Sequence, residues 1–338
     1  MLNFFKLLFY STLILGTLIA ISSYSWLSIW MGLEINLLSI LPLMVDSKNS
    51  YPSEAALKYF VTQVVASALL LFSMVFNLNL MEFNFTGQDD LPHHIVNLTF
   101  FSALLIKMGA APFHIWFPEI LEGLNWINAL IMLTWQKIAP MIVMLFYCKN
   151  SLFLLSVIVS SAVVGSILGL NQISLRKILA YSSINHMAWM ISTMVSVKTI
   201  WLPYFLVYSV TTINIVLIFK NFNIYFLNQL LKIYGQNKHF NWLIALNFLS
   251  LGGIPPFLGF LPKWFTIMGL SKMGLFLISI LLIFFALIVL FFYLRLTLTA
   301  FLLTKSESIT KTQSNFLLLT SNFIVLASLP IISLTYFY

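Results

Sequence analysis

The chain has 338 residues, 61% of them hydrophobic and only 8% charged, with a formal net charge of +8. A soluble domain carries about 25% charged residues, so this sequence lacks the polar surface that a water-exposed fold needs. Its apolar runs recur from end to end and reach the roughly 20 residues that cross a bilayer as a helix. The short alternating segments of a β-barrel do not occur.

Taken in chain order, the spans predicted are about 4–22, 25–45, 57–80, 96–122, 126–147, 151–171, 175–196, 200–220, 240–267, 274–303 and 316–336, about eleven in all. The first becomes apolar at once and has no small-residue cleavage site, so it reads as a transmembrane helix and not a cleaved signal. Ser53 and Glu54, just before Leu57, read as an N-cap followed by an acidic first turn. Spans 96–122 and 240–267 contain internal prolines and are predicted to be broken. The polar stretches 81–94 and 221–239 are too short to be domains.

Cofactor chemistry finds little support. Cys148 is the single cysteine, which rules out an internal disulfide, a C-x-x-C metal pair and a cysteine-ligated iron–sulfur cluster. His93 and His94 follow Asp89 and Asp90, so a metal site is conceivable, but a solvated loop accounts for them. There is no G-x-G-x-x-G, no P-loop and no haem-ligand pair. The basic residues stand singly between spans, a pattern of membrane orientation and not of a nucleic-acid face. Richness in Phe, Ile, Leu, Met and Asn with little Ala is what an AT-rich gene encodes, and points to an organellar genome.

Lysine and arginine set the orientation. One side, which also holds the N-terminus, collects ten of them: Lys6, Lys48, Lys58, Arg176, Lys177, Lys220, Lys232, Lys238, Lys305 and Lys311. The other side collects three, Lys149, Lys198 and Lys272. The N-terminus is therefore expected in the positive-inside compartment. With eleven spans the C-terminus faces the opposite one.

The two broken spans share a pattern. Gly109, Pro112, Phe113, Pro118 and Glu119 recur as Gly253, Pro256, Phe257, Pro262 and Lys263, each displaced by 144 residues (109 to 253). A five-helix unit repeated once must enter the membrane from the opposite side the second time. The expectation is an all-α integral membrane fold: a first repeat over 1–147, an inverted second repeat over 148–303, and a C-terminal transmembrane helix in 304–338, with no soluble domain. Inverted repeats with interrupted helices are how many transporters build ion sites near the bilayer midplane. The plainer alternative is that Pro112, Pro255 and Pro256 merely kink packed helices.

Four charges fall inside spans or beside breaks: Glu34, Lys107, Lys137 and Lys263. A charge at a helix centre in the bilayer costs roughly 2.5–3.5 kcal/mol on insertion scales, so such residues pair, line water or mark an ion path. One acid cannot cancel three bases. A lysine also suits a proton relay, because burial and a nearby carboxylate push its proton affinity in opposite directions, whereas arginine stays protonated. His114 and His186 are either proton carriers or hydrogen-bonded structural residues.

These residues carry a resemblance to the antiporter-like subunits of mitochondrial respiratory complex I that covers most of the chain. Trp30-Met31-Gly32-Leu33-Glu34-Ile35-Asn36 resembles the charged early helix of that family. Lys107-Met108-Gly109-Ala110-Ala111-Pro112-Phe113-His114 resembles its first broken helix, and Trp135-Gln136-Lys137-Ile138-Ala139-Pro140 its central lysine helix. Arg176-Lys177-Ile178-Leu179-Ala180-Tyr181-Ser182-Ser183 and Gly252-Gly253-Ile254-Pro255-Pro256-Phe257 are shared across it. The resemblance implies a subunit of a proton-pumping NADH:ubiquinone oxidoreductase in the mitochondrial inner membrane, with Glu34, Lys107, Lys137 and Lys263 on a polar axis. It implies that flavin, iron–sulfur clusters and quinone are held by other subunits. The implied partners are the other membrane-arm subunits, neighbouring antiporter-like ones included, and membrane lipids such as cardiolipin. Full-length members have fourteen helices, so the first three are expected to be missing here. An autonomous cation/proton antiporter of the same fold is the alternative.

The lysine bias makes a first prediction. Protease added to mitoplasts should not cut near Lys232–Lys238, and should cut there once the membrane is opened from the matrix side. Cleavage from the intermembrane-space side would overturn the orientation.

Overall fold

The computed structural model describes residues 2–46, 49–82, 91–148, 152–234 and 238–302. The C-terminal helix expected in 304–338 lies outside the described residues, as do Asp89, Asp90, Lys48, Lys149, Lys305, Lys311 and the side chains of His93 and His94. Two compact units, Met1–Lys149 and Asn150–Tyr338, make up the chain.

The first unit begins with a helical hairpin, α1 (Leu2–Ser22) and α2 (Trp26–Met44). Ser25 caps α2 by accepting the Ser28 N–H at 3.3 Å. The helix α3 (Tyr51–Glu82) packs on α2, α4 (Leu91–Met108) and α5 (Trp116–Gly123). It starts earlier than the sequence predicts. Ser53 therefore lies inside the first turn, where its hydroxyl donates back to the Ser50 carbonyl at 2.6 Å and does not cap, while Glu54 keeps its first-turn place. Pro52 is tolerated there because the first N–H groups of a helix have no partner to lose.

The predicted span 126–147 is not one continuous helix. Thr134 separates α6 (Trp126–Leu133) from α7 (Trp135–Tyr147). Thr134 bonds its own hydroxyl back to the Leu130 carbonyl at 2.8 Å, a contact that bends helices. α7 packs on α1, α2 and α4.

The second unit is arranged around α9 (Leu175–Ser196), on which α8 (Leu152–Ile167), α10 (Trp201–Asn221), α13 (Phe260–Lys272) and α14 (Phe276–Leu302) all pack. Every residue of α9 from Ser182 to Ser196 is buried. Such a helix need not be apolar provided its polar groups are satisfied. Ser182, Ser183, Ser192 and Thr193 each donate to the carbonyl three residues back, at 2.6–2.8 Å. Within the polar stretch 221–239 lies a short helix, α11 (Leu227–Tyr234), whose start is capped by the Gln229 side chain accepting the N–H groups of Tyr225 and Phe226.

The two predicted breaks are real, and glycine makes them. α4 ends at Met108 and α12 (Lys238–Gly252) ends one residue before Gly253. Gly109 and Gly253 take φ of +72° and +79°, a conformation that costs other L-residues about 1–2 kcal/mol. The Ala110 N–H then reaches back to the Leu105 carbonyl at 3.1 Å and the Ile254 N–H to the Leu249 carbonyl at 3.4 Å, which closes each helix in a Schellman motif. Pro112, Pro255 and Pro256 lie beyond the stop, so they do not kink a continuous helix. They lie in a run of turns that leads to α5 and α13, with the Phe257 N–H bonded to the Ile254 carbonyl at 3.0 Å and the Phe117 N–H to the His114 carbonyl at 3.0 Å. Pro118 and Pro262 then fall in the first turns of those helices, where a missing N–H costs no bond.

Six described stretches are long and apolar enough to cross a membrane, among them Phe4–Ser22, Tyr51–Leu78 and Phe276–Leu298, with Trp126–Tyr147 counted across the Thr134 interruption. Their outward faces carry bare apolar side chains, Phe4 at 73% and Phe291 at 63% exposure among them. Hydrocarbon is the solvent that suits such faces.

Glycine geometry yields a second prediction. A Cβ at Gly253 would lie 2.9 Å from Lys263 Cδ, and one at Gly259 would overlap the Ser250 carbonyl oxygen, whereas one at Gly274 (φ +75°) meets nothing within 4 Å. Gly274→Ala should cost only about 1–2 kcal/mol of conformational strain. Gly253→Ala and Gly259→Ala should cost more and lower the melting temperature of the assembled complex further. Equal melting temperatures for all three would show that the breaks are not closely packed.

Candidate functional site

In the first unit Glu34 is half-buried on α2, and its Oε2 atom is buried without a hydrogen-bond partner. Lys107 occupies the last turn of α4 with 7% of its surface exposed. At that position the negative end of the helix dipole favours a cation. No direct ion pair joins the two, yet the Glu34 carboxylate is near enough to act electrostatically on Lys107 and on the buried Tyr59 hydroxyl. The direct ion pair expected between Glu34 and Lys107, the acid and the base of the same repeat, is thus not formed.

Lys137 is 2% exposed and lies one turn beyond the Thr134 interruption. Its ammonium stands 5.0 Å from the centre of the Phe117 ring. An aromatic face attracts a cation through its quadrupole, more strongly when water is excluded. The break thus contributes a ring, held by the first turn of α5, to the lysine of the neighbouring helix. His114 lies in the break itself, half-buried, with Nδ1 3.2 Å from the Pro112 carbonyl oxygen.

In the second unit Lys263 is 6% exposed and turns back onto the end of the preceding half-helix. Its Nζ donates to the Gly252 carbonyl at 2.8 Å and to the Leu251 carbonyl at 3.4 Å, and stands 5.8 Å from the Trp189 ring centre. Carbonyls at a helix C-terminus lack intrahelical partners and carry the negative end of the dipole. Breaking the helix therefore creates the acceptor set that a buried ammonium needs. His186, on α9, lies 3.0 Å by Nδ1 from the Tyr204 hydroxyl.

The matched positions differ in chemistry. Where the second unit has Lys263, the first has Glu119, which reaches Lys58 at 3.2 Å while Lys58 also meets Glu54 at 3.1 Å. Where the first has Lys107, the second has Leu251. Sequence reasoning missed the aromatic partners Phe117, Trp189 and Tyr204 and the interruption at Thr134. The rings are indistinguishable in sequence from lipid-facing ones, and a threonine inside an apolar span gives no distinctive signal of an interruption.

Comparison with known proteins shows the family and the fold. A family model described as "NADH:quinone oxidoreductase/Mrp antiporter, TM" matches residues 23–289, so the class is that of antiporter-type membrane proteins. The chain is 45% identical to NADH-ubiquinone oxidoreductase chain 2 of Anopheles gambiae, over 97% of each chain. It is 42% identical to the Locusta migratoria protein of that name, over 90% of this chain and 88% of the relative. The chain belongs to the NADH-ubiquinone oxidoreductase chain 2 family. Its fold also matches a chain in the structure of respiratory complex I from Thermus thermophilus with bound aureothin, with a TM-score of 0.85 at 23% identity, covering 98% of this chain and 80% of that one.

The position of Glu34 gives a third prediction. Glu34→Gln removes the charge with little change of shape, so the complex should assemble and its coupled turnover should fall several-fold. Turnover and pumping at the unsubstituted level would show that the carboxylate does not act through Lys107.

Proposed function

We propose that this chain is a core membrane-arm subunit of a proton-pumping NADH:ubiquinone oxidoreductase, and that Glu34, Lys107, Lys137 and Lys263 carry its part of the proton path. The observation that supports this most directly is the burial of three lysines, at 7%, 2% and 6% exposure, each at an interrupted helix or on the helix beside one. An amine placed that deep costs several kcal/mol if permanently charged and uncompensated. Ring faces and helix-end carbonyls lower that cost without fixing the charge as a carboxylate would, which suits a group that must both take up and release a proton.

Inverted five-helix repeats over 1–147 and 148–303 are the architecture that the matched glycine stops support, with a further transmembrane helix in 304–338. The chain lies in the mitochondrial inner membrane, its N-terminus in the matrix and its C-terminus toward the intermembrane space. Other membrane-arm subunits and lipids, cardiolipin among them, surround it, and flavin, iron–sulfur clusters and quinone belong to partner subunits.

Lys137 provides the test. Lys137→Arg keeps the charge but cannot give up its proton. Pumping in an assembled Lys137→Arg complex should be lost, measured as protons translocated per NADH oxidised in membrane vesicles. Normal pumping by that variant would remove Lys137 from the path.

A further inference from the structure

The ring that faces Lys137 is fixed by the first break itself. Phe117 is 2% exposed and stands in the first turn of α5, its N–H bonded to the His114 carbonyl at 3.0 Å. One side of it faces Gly109, where an added Cβ would come within 3.0 Å of Phe117 Cβ and 3.2 Å of Cγ. Trp116 meets the ring edge-on, with centroids 5.5 Å apart, and lies 6.0 Å from the Tyr59 ring of α3. The glycine that stops α4 thus also admits the ring. The other face of the contact is the Lys137 ammonium, 5.0 Å from the ring centre.

The second unit shows that a half-helix after such a break does not need a ring there. The same displacement of 144 residues carries position 117 to 261 and position 137 to 281, and leucine stands at both, Leu261 and Leu281. Leu261 is in the first turn of α13, as Phe117 is in the first turn of α5. An aliphatic side chain is therefore enough to begin the half-helix. Ring and lysine are present together in one unit and absent together in the other. What the ring adds is a π face, which tells the two forms of an amine apart. Its quadrupole attracts an ammonium and has no such attraction for the neutral amine, and exclusion of water enlarges the difference.

We propose that Phe117 is a positioning residue for Lys137, a latch that holds the lysine head at the break while it is charged and releases it when it is neutral. The inference rests on the proton-path reading of Lys137 and adds to it a change of place, not a further transfer step. A group that takes up a proton on one side and gives it up on the other must not face both at once. The flexible four-carbon stem gives the head the reach to move between them. A carboxylate in contact would also hold the head, but it would keep the charge there. The ring holds the charged form and has no grip on the other. Lys263 in the second unit has no need of such a face, because the carbonyls it meets accept from an ammonium and from a neutral amine alike.

The test uses the assembled complex in membrane vesicles and reads coupled turnover and protons moved per NADH oxidised. Phe117→Leu installs the residue that the second unit carries at the matched position, and Phe117→Met fills the site with a flexible chain. Phe117→Tyr keeps the π face. Both ringless variants should lose about tenfold in coupled turnover, the worth of a desolvated cation–π contact, while the tyrosine variant stays within about twofold. In a Lys137→Met background the ring has nothing to hold, so Phe117→Leu should change the residual turnover no further. A ring that only fills space would cost turnover equally in both backgrounds, and that result would overturn the proposal. Failure of both ringless variants to assemble would overturn it too, since the fold would then require the ring. Lys137→Arg is run beside them. If it stops pumping while Phe117→Leu and Phe117→Met match the unsubstituted complex, the latch is wrong and Lys137 stays in the path. If Lys137→Arg pumps normally, the path reading itself falls and this inference with it.

Discussion

The interaction on which the second unit depends is that of one ammonium with the end of a broken helix. Lys263 donates to the Gly252 and Leu251 carbonyls, at 2.8 and 3.4 Å. Those acceptors exist because Gly253, with φ near +79°, stops α12. The stop leaves carbonyls unpaired in a medium without water, which would be costly, and the lysine brings in a charge that would be costly too. Each cancels much of the other. The arrangement also explains the tight surroundings. A side chain on Gly253 would run into the lysine, and one on Gly259 would run into the Ser250 carbonyl.

The first unit solves the same problem differently. Its break ends in the same glycine geometry, but the residue matching Lys263 is Glu119, drawn away to Lys58. Its buried cations are Lys107, in the last turn before the stop, and Lys137, over the Phe117 ring. Glu34 acts on Lys107 from outside contact distance. A carboxylate in direct contact would hold the lysine charged firmly, whereas a more distant one acts on it less strongly. The shared backbone device thus serves two charge arrangements, one built on carbonyls and one on a ring and a remote acid.

Burial in this protein does not follow apolarity. α9, with Ser182, Ser183, Asn185 and His186 in succession or nearly so, is wrapped on all sides, while α1 and α14 leave Phe4, Leu287 and Phe291 bare. In water the order would be reversed. In hydrocarbon, apolar side chains gain nothing by leaving the surface, and polar ones gain by packing where partners and enclosed water can be found. Asn185 shows the pressure most plainly: fully buried, its side-chain nitrogen and oxygen both lack a hydrogen-bond partner in the protein. Such an amide calls for enclosed water.

The sequence by itself determined the six stretches long and apolar enough to cross a membrane, because length and apolarity are local properties that hydrocarbon reads directly. It also determined the two breaks, because a glycine followed by proline acts on its own backbone, and it marked Glu34, Lys107, Lys137 and Lys263 by placing charge where charge is expensive. It missed the start of α3 at Tyr51, the interruption at Thr134 and the role of glycine over proline in the breaks, since these turn on which carbonyl finds which N–H. What only the tertiary structure decided is what each charge touches. That Lys137 meets Phe117, that Lys263 meets the carbonyls of Leu251 and Gly252, and that His186 meets Tyr204 depends on half-helices and neighbouring helices coming together. Contacts between segments distant along the chain leave no periodicity in a nearly uniform apolar sequence, so packing alone assigns them.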